Sequence, residues 1–219
     1  MSREMILLLL KGTGESLYMT LFSSAMAYLF GIPLGVLLYV TDSGGICRNR
    51  KINAIVGVVI NLLRSVPFLI LLVAILPFTR FVAGTSIGST ATVVPLIVAA
   101  TPFVARMVES SLKEVNSGVI EAARAMGSSP MQIVRKVLIP EAGPSLLVGS
   151  TIAVATILGY SAMAGFTGGG GLGAIAINYG YYRYQSGTML VTVALLVVIV
   201  QLFQEFGIRL VQRVDKRSR

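Results

Sequence analysis

Long apolar stretches alternate with polar segments along this sequence. Five of the stretches are long enough to cross a bilayer as a helix, which takes about 20 apolar residues. They cover residues 16–40, 53–78, 86–108, 145–165 and 187–206. The pattern predicts an all-α integral membrane protein with five transmembrane helices, organised as a single transmembrane domain over residues 1–219.

The composition agrees with a membrane location. Of the 219 residues, 55% are hydrophobic and only 12% are charged, whereas about 25% of the residues in an ordinary soluble domain are charged. The mean hydropathy is +0.83. So few polar side chains do not cover a water-facing globule of this size, and much of the exterior is therefore expected to face hydrocarbon.

The residue types that are missing narrow the possible chemistry. The chain has no histidine and one cysteine, Cys47, which excludes imidazole ligands, an internal disulfide and a multi-cysteine zinc site. Its nine acidic residues all lie outside the middle of the long apolar stretches, whereas ion-driven carriers and intramembrane hydrolases place ionisable groups there. A self-powered carrier and a membrane enzyme are thus the weaker alternatives, and we expect no metal or cofactor.

Basic residues are distributed unevenly among the segments that join the predicted spans. If the first and third joining segments and the C-terminal tail are cytoplasmic, that side holds 13 lysines and arginines and the other side holds 4. Cytoplasmic loops carry the excess of basic residues, so this distribution predicts an external N-terminus and a cytoplasmic C-terminus. The apolar run at Met5–Leu10 is shorter than a signal-peptide core and has no convincing cleavage site, so it is expected to stay attached.

Several prolines fall within the predicted spans. They lie at positions 33, 67, 77, 95 and 102. A proline removes a backbone donor and kinks a helix, which suits a bundle that changes conformation. The alternative is that these prolines are an ordinary feature of transmembrane helices.

The long polar segment at residues 109–144 has the pattern of two short helices. The first is predicted over residues 118–126, with Asn116 or Ser117 as its N-cap. Gly127 follows it and supplies the left-handed conformation that ends many helices. This segment is therefore predicted to form a structured loop on the cytoplasmic side.

A second helix in the same loop has a complete start signal. Ser129 is a good N-cap, Pro130 suits the first helical position, and Gln132 completes a capping box. The helix is expected to end at Pro140. Its apolar residues share one face and are Ile133, Val134, Val137 and Leu138.

This loop resembles a known family motif. Glu121-Ala122-Ala123, followed by Gly127 and then by residues 137–140, resembles the EAA loop of binding-protein-dependent ABC importer permeases. That family's motif closes with I-x-L-P, and this chain has Val137 and Ile139 at the two apolar places. The resemblance implies that Glu121, Ala122, Ala123 and Gly127 couple the permease to a cytoplasmic ATPase. The alternative is an amphipathic hairpin that lies on the membrane.

Other segments extend the resemblance over most of the chain. Residues 61–68, 159–165, 168–173 and 178–181 are most similar to permease subunits of bacterial methionine importers. That resemblance implies a type I ABC importer fold in the bacterial inner membrane. It also implies a second copy of the chain, two ATPase subunits and an extracytoplasmic lipoprotein that binds L- or D-methionine. A permease for another small amino acid remains an alternative.

A glycine-rich run, Gly168–Gly173, contains a formal G-x-G-x-x-G pattern. A dinucleotide site requires that pattern on a strand-to-helix turn. No βαβ pattern surrounds the run, and a Walker lysine is missing. We therefore interpret it as a flexible turn beneath a docking partner, and we expect ATP to bind to another subunit.

Four polar or polarisable residues are candidates for the translocation path. Arg64 lies inside the second predicted span, where an unpaired charge facing lipid is costly. Tyr160, Ser161 and Met163 interrupt the apolar fourth span. The alternatives are that Arg64 snorkels or bonds to carbonyls freed by Pro67, and that the other three residues fill helix interfaces.

Overall fold

The computed structural model describes residues 3–214 of the chain, and all regular structure in that range is helical. The basic residues Lys216, Arg217 and Arg219, used above to predict orientation, lie outside it. The α-helices are α1 Arg3–Thr41, α2 Arg50–Ser65, α3 Phe68–Ala74, α4 Leu76–Ala83, α5 Ser89–Lys113, α6 Ser117–Ala125, α7 Pro130–Ile133, α8 Ile139–Glu141, α9 Gly143–Met163, α10 Gly171–Ile175 and α11 Ser186–Val214. A 3₁₀ turn (Ala164–Thr167) and two π-helical segments (Val134–Leu138 and Ala176–Tyr181) complete the order.

Four of the predicted spans are confirmed as long apolar helices. Segments long and apolar enough to cross a membrane are Arg3–Thr41, Ser89–Lys113, Gly143–Tyr181 and Ser186–Arg213. The first of these, α1, has 39 residues, or about 58 Å at a rise of 1.5 Å per residue. The prediction of residues 16–40 therefore captured only part of α1, which begins well before that stretch.

The second predicted span, residues 53–78, is not one helix. Helix α2 ends at Ser65, α3 begins at Phe68, and the two are bent by 101° at this break. Pro67 adopts an extended conformation there and lacks the N–H that would continue the helix. By contrast, α1 and α5 continue past Pro33, Pro95 and Pro102. Residues 3–214 thus contain four candidate spans, or five if the bent pair counts as one.

Two compact units can be distinguished in the chain. Unit 1 comprises residues up to Ala27, Val66–Ala100 and Ala153–Glu205, and unit 2 comprises Tyr28–Ser65, Thr101–Ile152 and the residues from Phe206 onward. The core of unit 1 contains Leu9, Leu158, Leu172, Ile175 and Ile199. A smaller cluster in unit 2 contains Leu38, Ile60 and Ala105. The single-domain description of residues 1–219 stays a prediction.

Close packing of α1 on α5 organises unit 2. Gly31 and Gly35 are four residues apart and face α5. A Cβ at Gly35 would lie 2.5 Å from the Ala105 carbonyl oxygen, and one at Gly31 would lie 2.6 Å from Cγ1 of Val104. Small residues at this spacing let two helix backbones approach closely, as they do in membrane helix pairs.

Candidate functional site

The connection between α5 and α9 forms a folded elbow, defined here as residues 114–142. Helix α6 starts at Asn116, whose side-chain oxygen accepts a hydrogen bond of 2.8 Å from the Gly118 N–H. It ends at Ala125 and is followed closely by Gly127, which has a φ of +76°. The Ser128 N–H then donates to the Ala123 carbonyl at 3.1 Å. The predicted first helix, with Asn116 as its cap and Gly127 as its end, is confirmed.

The second half of the elbow starts as predicted but does not end as predicted. Ser129 and Gln132 form the full capping box, with hydrogen bonds of 2.8 and 3.4 Å. The helix does not stop at Pro140, because the chain widens into the π-helical segment Val134–Leu138 and continues into α8. Pro140 lies in the first turn of α8, where its missing N–H is not needed.

The apolar stripe of α6 is wider than the face that the helix buries. Ile120 and Ala123 are buried in unit 2 at 8% and 3% exposure. Val119 and Met126, which neighbour them on the helix surface, are 42% and 79% exposed, and Ala122 is exposed between them. An exposed apolar strip on a polar loop is typical of a surface that a protein partner covers.

The structure separates the predicted coupling residues into two groups. Glu121, Ala122 and Gly127 are exposed, whereas Ala123 is buried within the chain. Ala123 therefore packs against the elbow itself. Sequence reasoning missed Val119 and Met126. Their signal was present, because an apolar stripe at positions 119, 120, 122, 123 and 126 covers more of a helix than one buried face requires.

A chain of charged side chains connects the end of α5 to α1 and α2 in unit 2. Glu109 is only 7% exposed, and its carboxylate pairs with Arg106 at 2.7 Å and with Lys113 at 2.8 Å. Lys113 also pairs with Asp42 at 2.9 Å. Arg106 donates to the Asn61 side-chain oxygen at 2.9 Å. This network fixes the base of the elbow to the two neighbouring helices.

The donors around Asp42 favour its ionised form. The hydrogen bond from Lys113, with a further one from the Ser43 N–H, holds the pKa of Asp42 below its usual value. Asp42 is therefore ionised throughout the neutral range, and its pair with Lys113 is retained there. The count of basic residues on each side of the membrane did not reveal these pairs, because Asp42 and Lys113 are far apart in sequence.

The candidate path residues of the fourth span lie in unit 1. The ring of Tyr160 stacks on the ring of Phe68, with centroids 4.6 Å apart and an interplanar angle of 4°. Ser161 is 1% exposed, and its hydroxyl donates to the Leu158 carbonyl at 2.8 Å. Met163 is 39% exposed. Tyr160 and Met163 are thus accessible in this chain, whereas Ser161 is turned into protein.

Arg64 lies in unit 2, in the last turn of α2, and is exposed. No hydrogen bond or ion pair joins its guanidinium to any residue within the described range 3–214. The carbonyls near Pro67 therefore do not hold it. It lies at the end of α2, next to the break at Pro67.

The glycine-rich run is ordered, which corrects its interpretation as a flexible turn. Gly171 begins α10 with a φ of +80°, and its N–H donates to the Glu15 carboxylate at 2.7 Å. The next N–H, of Leu172, donates to the Ser16 hydroxyl at 2.9 Å. The run packs against α1 and α9 of its own unit. No strand precedes it within residues 3–214, so the context for a dinucleotide site is missing there.

Comparison with protein families matches most of the chain. Residues 31–219 match the family described as "Binding-protein-dependent transport system inner membrane component". A probable D-methionine transport system permease protein of Vibrio cholerae is 52% identical over 210 residues, covering 96% of this chain and 93% of that protein. The D-methionine transport system permease protein of Escherichia coli K12 is 54% identical over 165 residues, covering 75% and 76%.

Solved structures agree with the sequence comparison. A chain from inward-facing conformations of the MetNI methionine ABC transporter superposes with a TM-score of 0.97 at 51% identity, covering 99% of this chain and all of that one. An amino acid ABC transporter solved with histidines has a TM-score of 0.77 at 22% identity, covering 94% of both chains. The second likeness concerns the fold alone.

Proposed function

Because this chain belongs to the family of binding-protein-dependent transport system inner membrane components, we propose that it is the permease subunit of an ATP-driven methionine importer. The observation that carries the proposal is the superposition on a chain of a methionine ABC transporter, with a TM-score of 0.97 at 51% identity over 99% of this chain. The chain acts in the inner membrane as a non-catalytic subunit. ATP hydrolysis belongs to partner subunits.

The proposed complex contains two copies of this chain, two cytoplasmic ATPase subunits and an external methionine-binding protein. The elbow at residues 114–142 supplies the contact with the ATPase. Its exposed strip of Val119, Ala122 and Met126 enters a groove on the partner, and Glu121 offers a charge beside the strip. An apolar strip of this size is costly to leave in water and gains stability when a partner covers it.

Movement of the ATPases is transmitted to the transmembrane helices by the elbow and by the side-chain network at its base. Both short helices of the elbow are capped, so the elbow moves as a body. The ion pair of Lys113 with Asp42 and the hydrogen bond from Arg106 to Asn61 transmit that displacement from α5 to its neighbours. A rocking of the helices between outward-facing and inward-facing states follows the known repertoire of such transitions.

Arg64, Tyr160, Ser161 and Met163 are proposed to belong to the translocation path. Tyr160 and Met163 provide an aromatic face and a soft thioether, which suit brief contact with a methionine side chain. Ser161 supports this wall from behind through its bond to Leu158. Contact along the path is weak, because a permease must release what it receives.

The proposal is tested with purified complex in lipid vesicles, with ATP inside the vesicles and the external binding protein in the outer medium. We expect uptake of labelled methionine, and none when the ATPase subunits are omitted. Unlabelled methionine should compete with the label, whereas other small amino acids in equal excess should not. Uptake without ATPase, or equal competition by unrelated amino acids, contradicts the proposal and favours a carrier or another amino acid permease.

The proposed topology has a direct chemical test. Cys47 is exposed and is the chain's one cysteine, so it is first replaced by serine and new cysteines are placed at Ser86 or Gly187. A membrane-impermeant thiol reagent should label both new cysteines from outside, and should label the native Cys47 only after lysis. The opposite labelling pattern would reverse the orientation of the whole chain.

The path proposal predicts a separation between uptake and ATP hydrolysis. Tyr160→Ala removes the stacked ring and should lower uptake severalfold while ATP hydrolysis by the assembled complex persists. Met163→Ala should act in the same direction. Tyr160→Phe keeps the stack on Phe68 and is the matched control, expected to stay within twofold of wild type. Failure of the alanine variants to assemble, or unchanged uptake, would assign these residues to helix packing.

A further inference from the structure

A cavity of about 470 Å³ lies in unit 2, where the end of α1 meets the start of α2. It belongs neither to the elbow nor to the candidate path residues. Its lining includes Asp42, Ser43, Arg48, Arg50, Asn53 and Ala54.

The charge of this cavity is positive. The Asp42 carboxylate is neutralised by Lys113 at 2.9 Å. Arg48 and Arg50 have no carboxylate partner among residues 3–214. Two arginines therefore line one cavity without a carboxylate partner from the described part of the chain.

The walls of the cavity are held in place. The Asn53 side-chain amide donates to the Leu38 carbonyl at 2.7 Å, which joins α2 to α1. The loop between the helices is closed by bonds from the Cys47 N–H to the Val40 carbonyl at 2.9 Å and from the Asn49 N–H to the Thr41 carbonyl at 3.0 Å. A loop fixed in this way does not have to be ordered when a ligand binds.

The chemistry of the cavity suits a phosphate group. Guanidinium groups bind phosphate oxygens with paired, charge-assisted hydrogen bonds. The cavity lies just after the end of the long apolar helix α1, at the basic start of α2. Basic pockets beside the ends of transmembrane helices bind anionic lipid headgroups. We propose that Arg48 and Arg50 form a binding site for a phosphate group, supplied either by an anionic phospholipid or by a soluble phosphate compound.

The test measures binding to the purified full-length chain in detergent. The lipid arm uses phosphatidylglycerol, with phosphatidylcholine as the neutral comparison, and the soluble arm uses inorganic phosphate and glycerol phosphate. Arg48→Gln with Arg50→Gln should weaken binding at least tenfold. Arg135→Gln with Lys136→Gln removes the same charge from exposed positions outside the cavity and should change binding by less than twofold.

A second pair of variants keeps both arginines and changes the volume of the cavity. Ala54→Phe fills the cavity from its wall and should cause the same loss, whereas Ala54→Ser should not. Loss in the lipid arm alone assigns the site to a phospholipid, and loss in the soluble arm alone assigns it to a free phosphate compound. Binding of none of these compounds, or equal weakening by the control pair, overturns the proposal. The readout needs no transport, so it is independent of the proposed importer function.

Discussion

A Gly127→Val variant is expected to insert normally into the membrane, yet to bind its ATPase subunits poorly and to lose at least nine-tenths of methionine uptake. Gly127 has a φ of +76°, and a β-branched residue in that conformation costs roughly 1–2 kcal/mol. A Cβ at this position would meet no atom within 4 Å. The effect therefore comes from backbone strain, which shifts α6 relative to α7. Copurification of the ATPase subunits measures their association with the variant, and uptake of methionine into vesicles measures transport.

The matched control at this position is Gly127→Asn. Asparagine tolerates the left-handed conformation far better than valine does, so this variant should retain most of the association and the uptake. Glu121→Lys provides an independent change on the exposed surface of α6 and should weaken both properties without altering the fold. Wild-type copurification and uptake in the valine and lysine variants together would remove the elbow from the coupling role.

A Gly173→Ala substitution is expected to cause a large loss of stability. Gly173 lies in α10 and packs against α9 so closely that an added Cβ would contact the carbonyl oxygen of Ala162 and lie 2.5 Å from its Cα. Backbone atoms cannot rotate away as a side chain can. Overpacking of this kind typically costs about 1–3 kcal/mol, which corresponds to a decrease in Tm of roughly 2–12 °C for a chain of this size.

Gly14→Ala is the control for that experiment. Gly14 lies within α1, is exposed, and has no atom within 4 Å of a would-be Cβ. The same methyl group should there raise stability slightly, because glycine is unfavourable in a helix interior by roughly 0.5–1 kcal/mol. Thermal unfolding of the two variants in one detergent makes the comparison. Equal Tm values would show that the contact of α10 with α9 relaxes without cost.

The features predicted correctly from the sequence depend on interactions within a few residues. The caps at Asn116 and at Ser129 with Gln132, and the stop at Gly127, are hydrogen bonds or backbone conformations that span at most four positions. The long apolar helices follow from composition over about 20 residues. The resemblance of residues 121–140 to a family loop added the function, which local patterns alone do not specify.

Proline effects show where local reasoning stops. The five prolines predicted to lie within spans carry the same chemistry, yet α1 and α5 continue past Pro33, Pro95 and Pro102. By contrast, Pro67 lies at a helix break, and Pro77 lies in the first turn of α4, just after another break. A proline costs a helix one hydrogen bond and a steric contact. Whether the helix continues through the proline or breaks there depends on which of the two forms packs better against the surrounding helices. The residues next to the proline do not determine that difference in packing.

Which face of an element is covered was decided only by the tertiary structure. Ala122 and Ala123 are equivalent in the sequence pattern, but Ala123 is buried at 3% exposure and Ala122 faces outward. The pairs formed by Asp42 with Lys113 and by Gly171 with Glu15 join residues more than 70 positions apart. Local sequence determines that a helix forms and where it ends. Which helices pack against it depends on the whole chain, because burial and ion pairing depend on the distances between residues that are far apart in sequence.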